Sequence, residues 1–359
     1  MRSAERMRGV VLTGHGGLDR LEFHDDLAVP DPAEDEVLVR VAACGMNNTD
    51  INTRIGWYSK AVSGSTADGD AAGAGDGSWS GGLTFPRIQG ADPAGRIVAV
   101  GRSVDSDRIG DRVLIDPWIR ERSGDLSRAS YLGSERDGGY AEYVAVPARN
   151  AHAVDSDLTD VELASIPCSY STAEHMLHRA EVGAGQWVLV TGASGGVGAA
   201  LIQLAKRRGA RVVAVTSGAK AKAVGELGAD VVIDRETDGL GPTILAATGG
   251  VDVVADVVGG GMFPVIFETI KRGGHYATAG AIAGPIVSLD LRTLYLRDLT
   301  MHGATVLPPE VFSDLVSYIE RGEIGPVVAE TYPIEEMRDA QQAFMAKQHV
   351  GAIVVEVAR

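Results

Sequence analysis

The sequence predicts an α/β protein of two domains, one rich in β-strands and one with a parallel sheet covered by helices. The length of 359 residues suggests about two domains. Up to about residue 155, short apolar segments alternate with glycine turns, which is typical of a small β-barrel. After that point, strand-like and helix-like segments alternate along the chain, and this pattern indicates a doubly wound parallel sheet.

The composition is that of an ordinary globular protein and argues against several kinds of partner. Hydrophobic residues make up 45% of the chain and charged residues 23%, so it can bury a sizeable core. A net charge of −15 argues against nucleic acid and anionic membranes as partners. Two cysteines cannot form a disulfide framework, which fits a reducing compartment. We see no signal-like apolar start and no run of about 20 apolar residues, so we expect a cytoplasmic protein without a membrane span.

The β-rich domain is predicted from apolar segments bounded by glycine, proline or polar residues. The expected strand regions are Val10–Leu12, Leu21–Phe23, Glu36–Ala42, Pro86–Gly101, Gly110–Ile115 and Gly138–Val146. Between them, Asn47–Asp50 carries side chains that cap helices and predicts a turn or a helix start, with Asp50 as a cap or an ion-pair partner rather than an acid/base group.

Two polar segments interrupt this domain. Residues 59–83 are rich in Gly, Ser, Ala and Asp and cannot bury much apolar surface, so we expect a mobile surface insert. Its Trp79 and the following Phe85 are aromatic exceptions that could fold over a site. A second polar loop is expected over residues 117–137.

In the second domain, one strand–turn–helix segment has the pattern of a dinucleotide site. Val188–Val190 is predicted as a buried strand, a glycine turn follows, and apolar residues then recur at helical spacing. A helix N-terminus offers unpaired N–H groups and the positive end of a dipole, and residues without side chains let a pyrophosphate come close. The residues expected to bind it are Gly192, Ser194, Gly195, Gly196, Val197 and Gly198.

The residues after the next predicted strand, which ends at Val215, favour NADPH over NADH. A site for NADH usually has a carboxylate there that accepts from the ribose 2′-hydroxyl. This segment has none, and offers hydroxyl and cationic side chains suited to a 2′-phosphate. The residues concerned are Ser217, Lys220 and Lys222, with Arg235 after the third strand.

The rest of the chain continues the alternation and ends with a tail. Further strands are expected at 211–215, 231–233, 252–257, 275–278, 299–302 and 352–356. One helix is expected to end at residue 227, and others are expected over 242–247, 262–271, 309–321 and 335–347. The helical pattern over 161–178 is broken by Pro167. We expect domains at 1–159 and 160–304, with 305–359 returning to the first.

Six segments, in this order, resemble the medium-chain dehydrogenase/reductase superfamily. They are Val39–Asp50, Gly90–Val98, Gly110–Val113, Gly139–Tyr143, the turn at 191–198, and Lys347–Val354. The resemblance implies a chaperonin-10 (GroES)-like β-rich catalytic domain, a Rossmann domain and an active site in the cleft between them. It extends to the quinone oxidoreductase-like and alcohol dehydrogenase-like branches.

The zinc-dependent branch of this family has metal ligands that the sequence does not reproduce. Asn47 stands at the first ligand position, Ala91 replaces the histidine, and only Cys168 matches its place. A catalytic zinc needs about three protein ligands, so we expect no metal site. His175 and His178 have a spacing that could face one metal, but we expect them on a solvated helix face.

Asn47 and Gly56-Trp57-Tyr58 resemble instead the zinc-free quinone and enoyl reductases. That resemblance implies that Tyr58 is a proton donor, although Tyr58 could simply pack at the edge of the domain. Asn47 could hold the nicotinamide or the substrate oxygen, and Thr49 is the alternative proton-relay hydroxyl. Thr172 resembles the family's cofactor-contacting threonine.

We therefore expect an NADPH-dependent, zinc-independent oxidoreductase that acts on a quinone, an enone or another activated carbonyl. Two alternatives stay open: an alcohol or aldehyde dehydrogenase with a degenerate zinc site, and an NADPH-binding protein with little catalysis. The expected partner is a small-molecule substrate. A homodimer is expected from the family resemblance, through pairing of the edge strand Leu299–His302.

Overall fold

The structure, a computed structural model, describes residues 5–66, 83–121 and 128–358. It forms two compact units. The first comprises the described parts of Met1–Val62, Asp68–Cys168 and Pro308–Arg359, and the second comprises Ser63–Ala67 and Ser169–Leu307. None of the helices in the described ranges combines the length and hydrophobicity that crossing a bilayer requires.

Most of the expected mobile insert at 59–83, with Trp79, lies outside the described residues. The part that is described is held by hydrogen bonds. Within the second unit, the Thr66 amide donates to the Ile282 carbonyl oxygen at 3.1 Å, and the Thr66 hydroxyl donates to the same oxygen at 3.3 Å. Thr66 is buried, so this end of the insert is anchored.

The first unit is built around one long central strand. Its strands are β1 (Arg6–Leu12), β2 (Leu21–Ala28), β3 (Glu36–Met46), β4 (Arg87–Ile88), β5 (Asp92–Val100), β6 (Arg112–Ile115), β7 (Trp118–Ile119), β8 (Ser130–Tyr131), β9 (Tyr143–Pro147) and β10 (Ala151–Ala153). Strand β3 pairs antiparallel with β5 and β9. It is buried on both faces along most of its length, which its nearly continuous Val, Leu, Ala and Cys content explains.

The second unit is a six-stranded parallel sheet in the order β13-β12-β11-β14-β15-β16. These strands are β11 (Trp187–Val190), β12 (Arg211–Thr216), β13 (Val231–Asp234), β14 (Val251–Asp256), β15 (Ile270–Thr278) and β16 (Thr300–Gly303). The chain winds outward from β11 to β13 and then returns to the other side of β11 as β14. Ligands of such sheets bind where the winding direction reverses, at the carboxyl ends of the strands.

Helices and two further strands complete the units. The helices are α1 (Asn48–Ile55), α2 (Asp160–Ala164), α3 (Pro167–Arg179), α4 (Gly196–Arg207), α5 (Ala221–Glu226), α6 (Leu240–Thr248), α7 (Phe263–Phe267), α8 (Leu291–Leu296), α9 (Pro309–Glu320) and α10 (Met337–Ala346). Strands β17 (Val328–Pro333) and β18 (Ala352–Glu356) pair in parallel, and β18 pairs antiparallel with β3 in the first unit. The α/β fold with a β-rich unit and a parallel-sheet unit confirms the predicted fold class.

One predicted element is wrong in extent. The helix expected over 262–271 ends at Phe267, and β15 begins at Ile270. Ile266, Phe267 and Ile270 have helical spacing, but Ile270 is buried through pairing with Val251 of β14. The apolar pattern is therefore shared by the end of a helix and the start of a strand.

Helix α1 begins with a reciprocal cap that lies in the core of the first unit. Asn47 is the N-cap, and Asp50 completes a capping box. One oxygen of the Asp50 carboxylate accepts a hydrogen bond from the backbone amide of Asn47 at 2.8 Å and another from the Tyr140 hydroxyl at 3.0 Å. Burial raises the pKa of Asp50 to about 6, against the opposing effect of these hydrogen bonds.

This pKa predicts a pH-dependent stability with a definite sign. The folded protein holds the Asp50 proton to higher pH than the unfolded chain does. The free energy of unfolding therefore falls as the pH rises from about 4 to about 6, by about 3 kcal/mol in all. Asp50→Asn keeps an oxygen for both donors and removes this dependence.

Urea unfolding of the wild type and Asp50→Asn across about pH 4 to 7 measures the effect. Asp25→Asn, on the exposed side of β2, is the control for the loss of one negative charge. A difference in stability between wild type and Asp50→Asn that stays constant over this range would contradict the prediction.

Candidate active site

The glycine turn between β11 and α4 has a backbone geometry that requires glycine at two positions. Gly192 has a φ of 57°, in the left-handed region. A Cβ on Gly198 would lie 2.3 Å from the Gly192 carbonyl oxygen, so a side chain there would strike the backbone. Gly195 is the N-cap of α4. The remaining residues of the turn, Ser194, Gly196 and Val197, are half-buried, so the turn is accessible beside a helix N-terminus and fits a pyrophosphate.

A buried carboxylate that sequence reasoning missed positions the loop beside this turn. Asp256, at the end of β14, accepts hydrogen bonds from the Thr191 hydroxyl at 2.5 Å, the Tyr276 hydroxyl at 2.7 Å and the Val258 amide at 2.8 Å. This loop packs closely against the turn. A Cβ on Gly192 would lie 3.2 Å from Val257 Cγ2 and 3.3 Å from Val258 Cγ2. A carboxylate at the end of an apolar strand was the available sequence signal.

The segment after β12 brings two of the predicted cations together. Partial burial lowers the pKa of Lys220, and the nearby positive charge of Arg235 lowers it further. Two cations that repel one another in this way are a suitable site for an anion such as a phosphate. Ser217 begins the same turn, which the Lys220 amide closes by donating to the Ser217 carbonyl oxygen at 2.9 Å.

Lys222 is placed differently from Lys220. Its side chain is 92% exposed on α5, and its amine lies 3.9 Å from the Glu226 carboxylate. The structure thus gives Lys222 a partner on its own helix, and its predicted role in cofactor binding has less geometric support than that of Lys220.

Helix α3 approaches the glycine turn through a residue that the motif did not indicate. A Cβ on Gly196 would lie 2.5 Å from the Ser169 hydroxyl oxygen, so this serine packs against the first turn of α4. Thr172 follows three residues later and is half-buried. Residues three apart on a helix lie on one face, which places Thr172 on the face that carries Ser169.

A polar cluster in the core of the first unit contains the other candidate residues; we define it as Asn47, Tyr58, Asp92, Tyr131 and Cys168. Asp92 is buried and accepts from the Asn47 side-chain amide at 2.9 Å and from the Cys168 backbone amide at 2.9 Å. The Tyr131 hydroxyl donates to the Cys168 sulfur at 3.1 Å. Burial raises the pKa of Asp92, and also that of the Tyr131 hydroxyl.

These side chains do not fit a catalytic zinc. Ala91 has no ligating atom at the position where the zinc-dependent branch has histidine, and Asn47 uses its amide nitrogen to bind Asp92. Cys168 and Asp92 are then fewer than the three ligands that the metal needs. Within the described ranges, no three His, Cys, Asp or Glu side chains are grouped so that they could hold a metal ion.

Tyr58 has a buried hydroxyl on a half-buried side chain. Burial raises its pKa, whereas a hydrogen bond with the Asn52 side chain opposes the rise. Cys168 and Asp50 are near enough to raise the pKa further by their charge. A hydroxyl with a raised pKa stays protonated at neutral pH and can donate a hydrogen bond or a proton.

Thr49 also presents a hydroxyl suited to a ligand. The oxygen is buried and has no hydrogen-bond partner among the residues that the structure describes. It belongs to the first turn of α1, two residues after the Asn47 cap. The predicted catalytic residues Asn47, Thr49 and Tyr58 therefore lie within the first unit, from the cap of α1 to just beyond its end.

The prediction that His175 and His178 lie on a solvated face of α3 is wrong for His175. His178 is exposed, but His175 is 4% exposed and lies in the core. Their spacing of three residues places them on neighbouring positions, and the boundary between core and solvent runs between them.

Comparison with known proteins agrees with both units. The alcohol dehydrogenase GroES-like domain family matches residues 33–156, and the zinc-binding dehydrogenase family matches residues 196–321. A proposed alcohol dehydrogenase from Sinorhizobium meliloti 1021, known from its crystal structure, is 50% identical over 98% of this chain and 97% of its own, with a TM-score of 0.91.

Two curated relatives are similar over most of their length. The chloroplastic NADPH-dependent alkenal/one oxidoreductase of Arabidopsis thaliana is 28% identical over 98% of this chain and 80% of its own. The quinone oxidoreductase of Lama guanicoe is 29% identical over 94% of this chain and 93% of its own. With these similarities and the fold of both units, the chain belongs to the medium-chain dehydrogenase/reductase superfamily and is an oxidoreductase.

Proposed function

We propose that the protein is an NADPH-dependent oxidoreductase that reduces a quinone, an enone or another conjugated carbonyl without a catalytic metal. The observation that carries the proposal is the chemistry of the polar cluster, which offers two metal-ligating side chains, Asp92 and Cys168, where a catalytic zinc needs about three. Asp92 accepts a hydrogen bond from the Asn47 side-chain amide, and the Cys168 sulfur accepts one from the Tyr131 hydroxyl. Relatives named for alkenal/one and quinone reduction support this class of acceptor.

The chemistry follows from the donors that the chain offers. Bound NADPH supplies the hydride. As hydride adds to a conjugated carbonyl, negative charge develops on the oxygen and spreads along the π-system, so hydrogen-bond donors can stabilise it where a simple ketone would need a stronger electrophile. In the proposed reaction the Tyr58 hydroxyl donates its proton to that oxygen. Thr49 offers the alternative hydroxyl, and Asn47 offers an orienting amide.

Tyr58→Phe tests the proton donor. We expect kcat for NADPH-dependent reduction of an enone or a quinone to fall by about 10²-fold, because the buried hydroxyl is lost. Tyr332→Phe is the matched control, since it removes an exposed hydroxyl that donates to Glu330. Stopped assays of both variants on conjugated and simple carbonyls measure the effect.

Two outcomes would contradict this proposal. One is a wild-type kcat in Tyr58→Phe. The other is a wild-type enzyme that binds NADPH but turns over none of a broad panel of quinones and enones.

The preference for NADPH is proposed from the cations after β12. Lys220 and Arg235 lie close enough for one charge to depress the pKa of the other, and a 2′-phosphate would relieve this repulsion. The 2′-hydroxyl of NADH is uncharged and would not relieve it. The name of the Arabidopsis relative includes NADPH dependence, which supports the same choice.

Lys220→Ala and Lys222→Ala test whether Lys220, and not its neighbour Lys222, determines the preference for NADPH. We expect Lys220→Ala to reduce the ratio of kcat/KM for NADPH to that for NADH by about tenfold, as the loss of one charge-assisted hydrogen bond implies. Lys222→Ala, whose side chain is exposed beside Glu226, should leave the ratio near that of the wild type. Equal effects of the two variants would count against the assignment.

We also propose a homodimer that forms through the edge of the parallel sheet. Strand β16 is the last strand on one side of the sheet, and an unpaired edge can pair with a second copy. Large apolar side chains are exposed on β16 and in the segment before it. They are Ile286, Leu291, Tyr295, Leu296 and Met301.

Met301→Glu tests this edge, because a charge would have to be buried in the dimer. We expect wild-type protein to sediment at twice the mass of a 37.5 kDa chain and Met301→Glu to sediment as a monomer at the same concentration. Leu245→Glu, at an exposed leucine on α6, is the control. A wild-type monomer would reject the proposal.

A further inference from the structure

Strand register brings a carboxylate to the site that Lys220 and Arg235 form. Strands β12 and β13 pair in parallel, and Thr216 is opposite Asp234 at their carboxyl ends. The Arg235 amide donates to the Thr216 carbonyl oxygen at 2.7 Å, which fixes the chain after β13 beside the end of β12. Asp234 therefore reaches the edge where a dinucleotide site usually has its ribose-binding carboxylate, but from the neighbouring strand.

The Asp234 carboxylate occupies the space that a side chain at position 218 would need. A Cβ on Gly218 would lie 2.4 Å from Asp234 Oδ2 and 3.4 Å from its carboxyl carbon. The other oxygen, Oδ1, accepts from the Glu236 amide at 3.1 Å and holds the turn after β13. One oxygen thus has a structural role, and the other faces the Ser217–Lys220 turn.

A second observation at this edge points to a polar ligand. The Thr216 side chain is 5% exposed, and its hydroxyl has no hydrogen-bond partner within the described part of the chain. An unsatisfied buried hydroxyl costs free energy that a ligand hydroxyl or phosphate oxygen can recover. Thr216 lies opposite Asp234 and directly before Ser217, so both features belong to one place.

The two kinds of charge at this place, one positive and one negative, favour different cofactors. A ribose 2′-hydroxyl is a donor and binds well to a carboxylate. A 2′-phosphate is attracted by Lys220 and Arg235 but repelled by Asp234. A site that holds both kinds of charge is suited to both cofactors, with the carboxylate reducing the advantage of the phosphorylated one.

We propose that Asp234 is a specificity-determining residue that accepts from the ribose 2′-hydroxyl of NAD(H) and thereby admits this cofactor to the NADPH site. The proposal rests on the proposed NADPH site and adds a second cofactor to it. It makes the protein a dual-cofactor enzyme in which one carboxylate sets the ratio of the two affinities.

The test is equilibrium binding, which needs no turnover. Calorimetric titration of NAD⁺ and NADP⁺ gives the dissociation constants of the wild type, Asp234→Asn and Asp238→Asn. The asparagine at 234 keeps an oxygen for the Glu236 amide and removes the charge. Asp238→Asn removes the same charge from an exposed position four residues away.

We expect the wild type to bind both cofactors. In Asp234→Asn, NAD⁺ binding should weaken and NADP⁺ binding should strengthen, so that the ratio of their dissociation constants shifts toward NADP⁺ by about tenfold. Asp238→Asn should shift this ratio by less than about twofold, because its charge is screened by solvent.

An unchanged ratio in Asp234→Asn, or an equal shift in Asp238→Asn, would overturn the inference. A wild type that prefers NAD⁺, with the shift in Asp234→Asn still present, would instead refute the proposed NADPH preference and leave the role of Asp234 standing. A wild type that binds neither cofactor would overturn both.

Discussion

The buried carboxylate of Asp92 is the constraint on which the first unit's candidate site depends. It lies at the start of β5 and accepts hydrogen bonds from the Asn47 side chain and the Cys168 backbone. A carboxylate removed from water costs free energy unless donors replace the water, so these contacts are needed once Asp92 is buried. They fix the cap of α1 and the start of α3 against the same group.

This constraint accounts for the chemistry proposed for the chain. Where a metal would polarise a carbonyl, the proposed reaction uses a neutral donor instead, namely the hydroxyl of Tyr58. Burial raises the pKa of this tyrosine, which keeps it protonated as a donor. Such a donor suits an acceptor that spreads its developing charge, and this is the physical reason for choosing quinones and enones over simple ketones.

The parallel-sheet unit also contains a buried carboxylate that is held by several hydrogen-bond donors. Asp256 accepts hydrogen bonds from two side-chain hydroxyls and from the backbone amides of Val258 and Gly259 at the end of β14, and so fixes the loop beside the glycine turn. Its burial contrasts with the partial exposure of Asp234, which lies on the edge strand β13. One carboxylate is fully used by the fold, and the other keeps an oxygen that faces the Ser217–Lys220 turn.

Local sequence patterns predicted much of this fold, because a strand or helix buries one continuous apolar pattern. The turn at Gly192–Gly198 was also predicted from a local pattern, since Gly192 has a positive φ and a side chain on Gly198 would strike the Gly192 carbonyl oxygen. Features that depend on register or long-range packing were missed. Asp234 reaches the end of β12 only because β13 pairs beside it, and Tyr131 reaches Cys168 from 37 residues away in the chain.

The expected helix across Phe267 and Ile270 failed for a related reason. Spacing alone cannot distinguish a helix from a helix end joined to a buried strand. His175 was misplaced because a polar residue type does not reveal that a helix is covered on that side. Site predictions from residue type were most useful where the motif was local, as for Asn47 and its cap, and least useful where two distant segments meet.

The zinc content of active protein tests most directly whether reduction proceeds without a bound metal, as we propose. Protein purified without chelators is analysed by mass spectrometry for metals, and the same preparation is assayed for NADPH-dependent reduction of an enone. We predict full activity with far less than one zinc ion per chain. One zinc ion per chain, with activity that disappears when the metal is stripped and returns when zinc is restored, would contradict it.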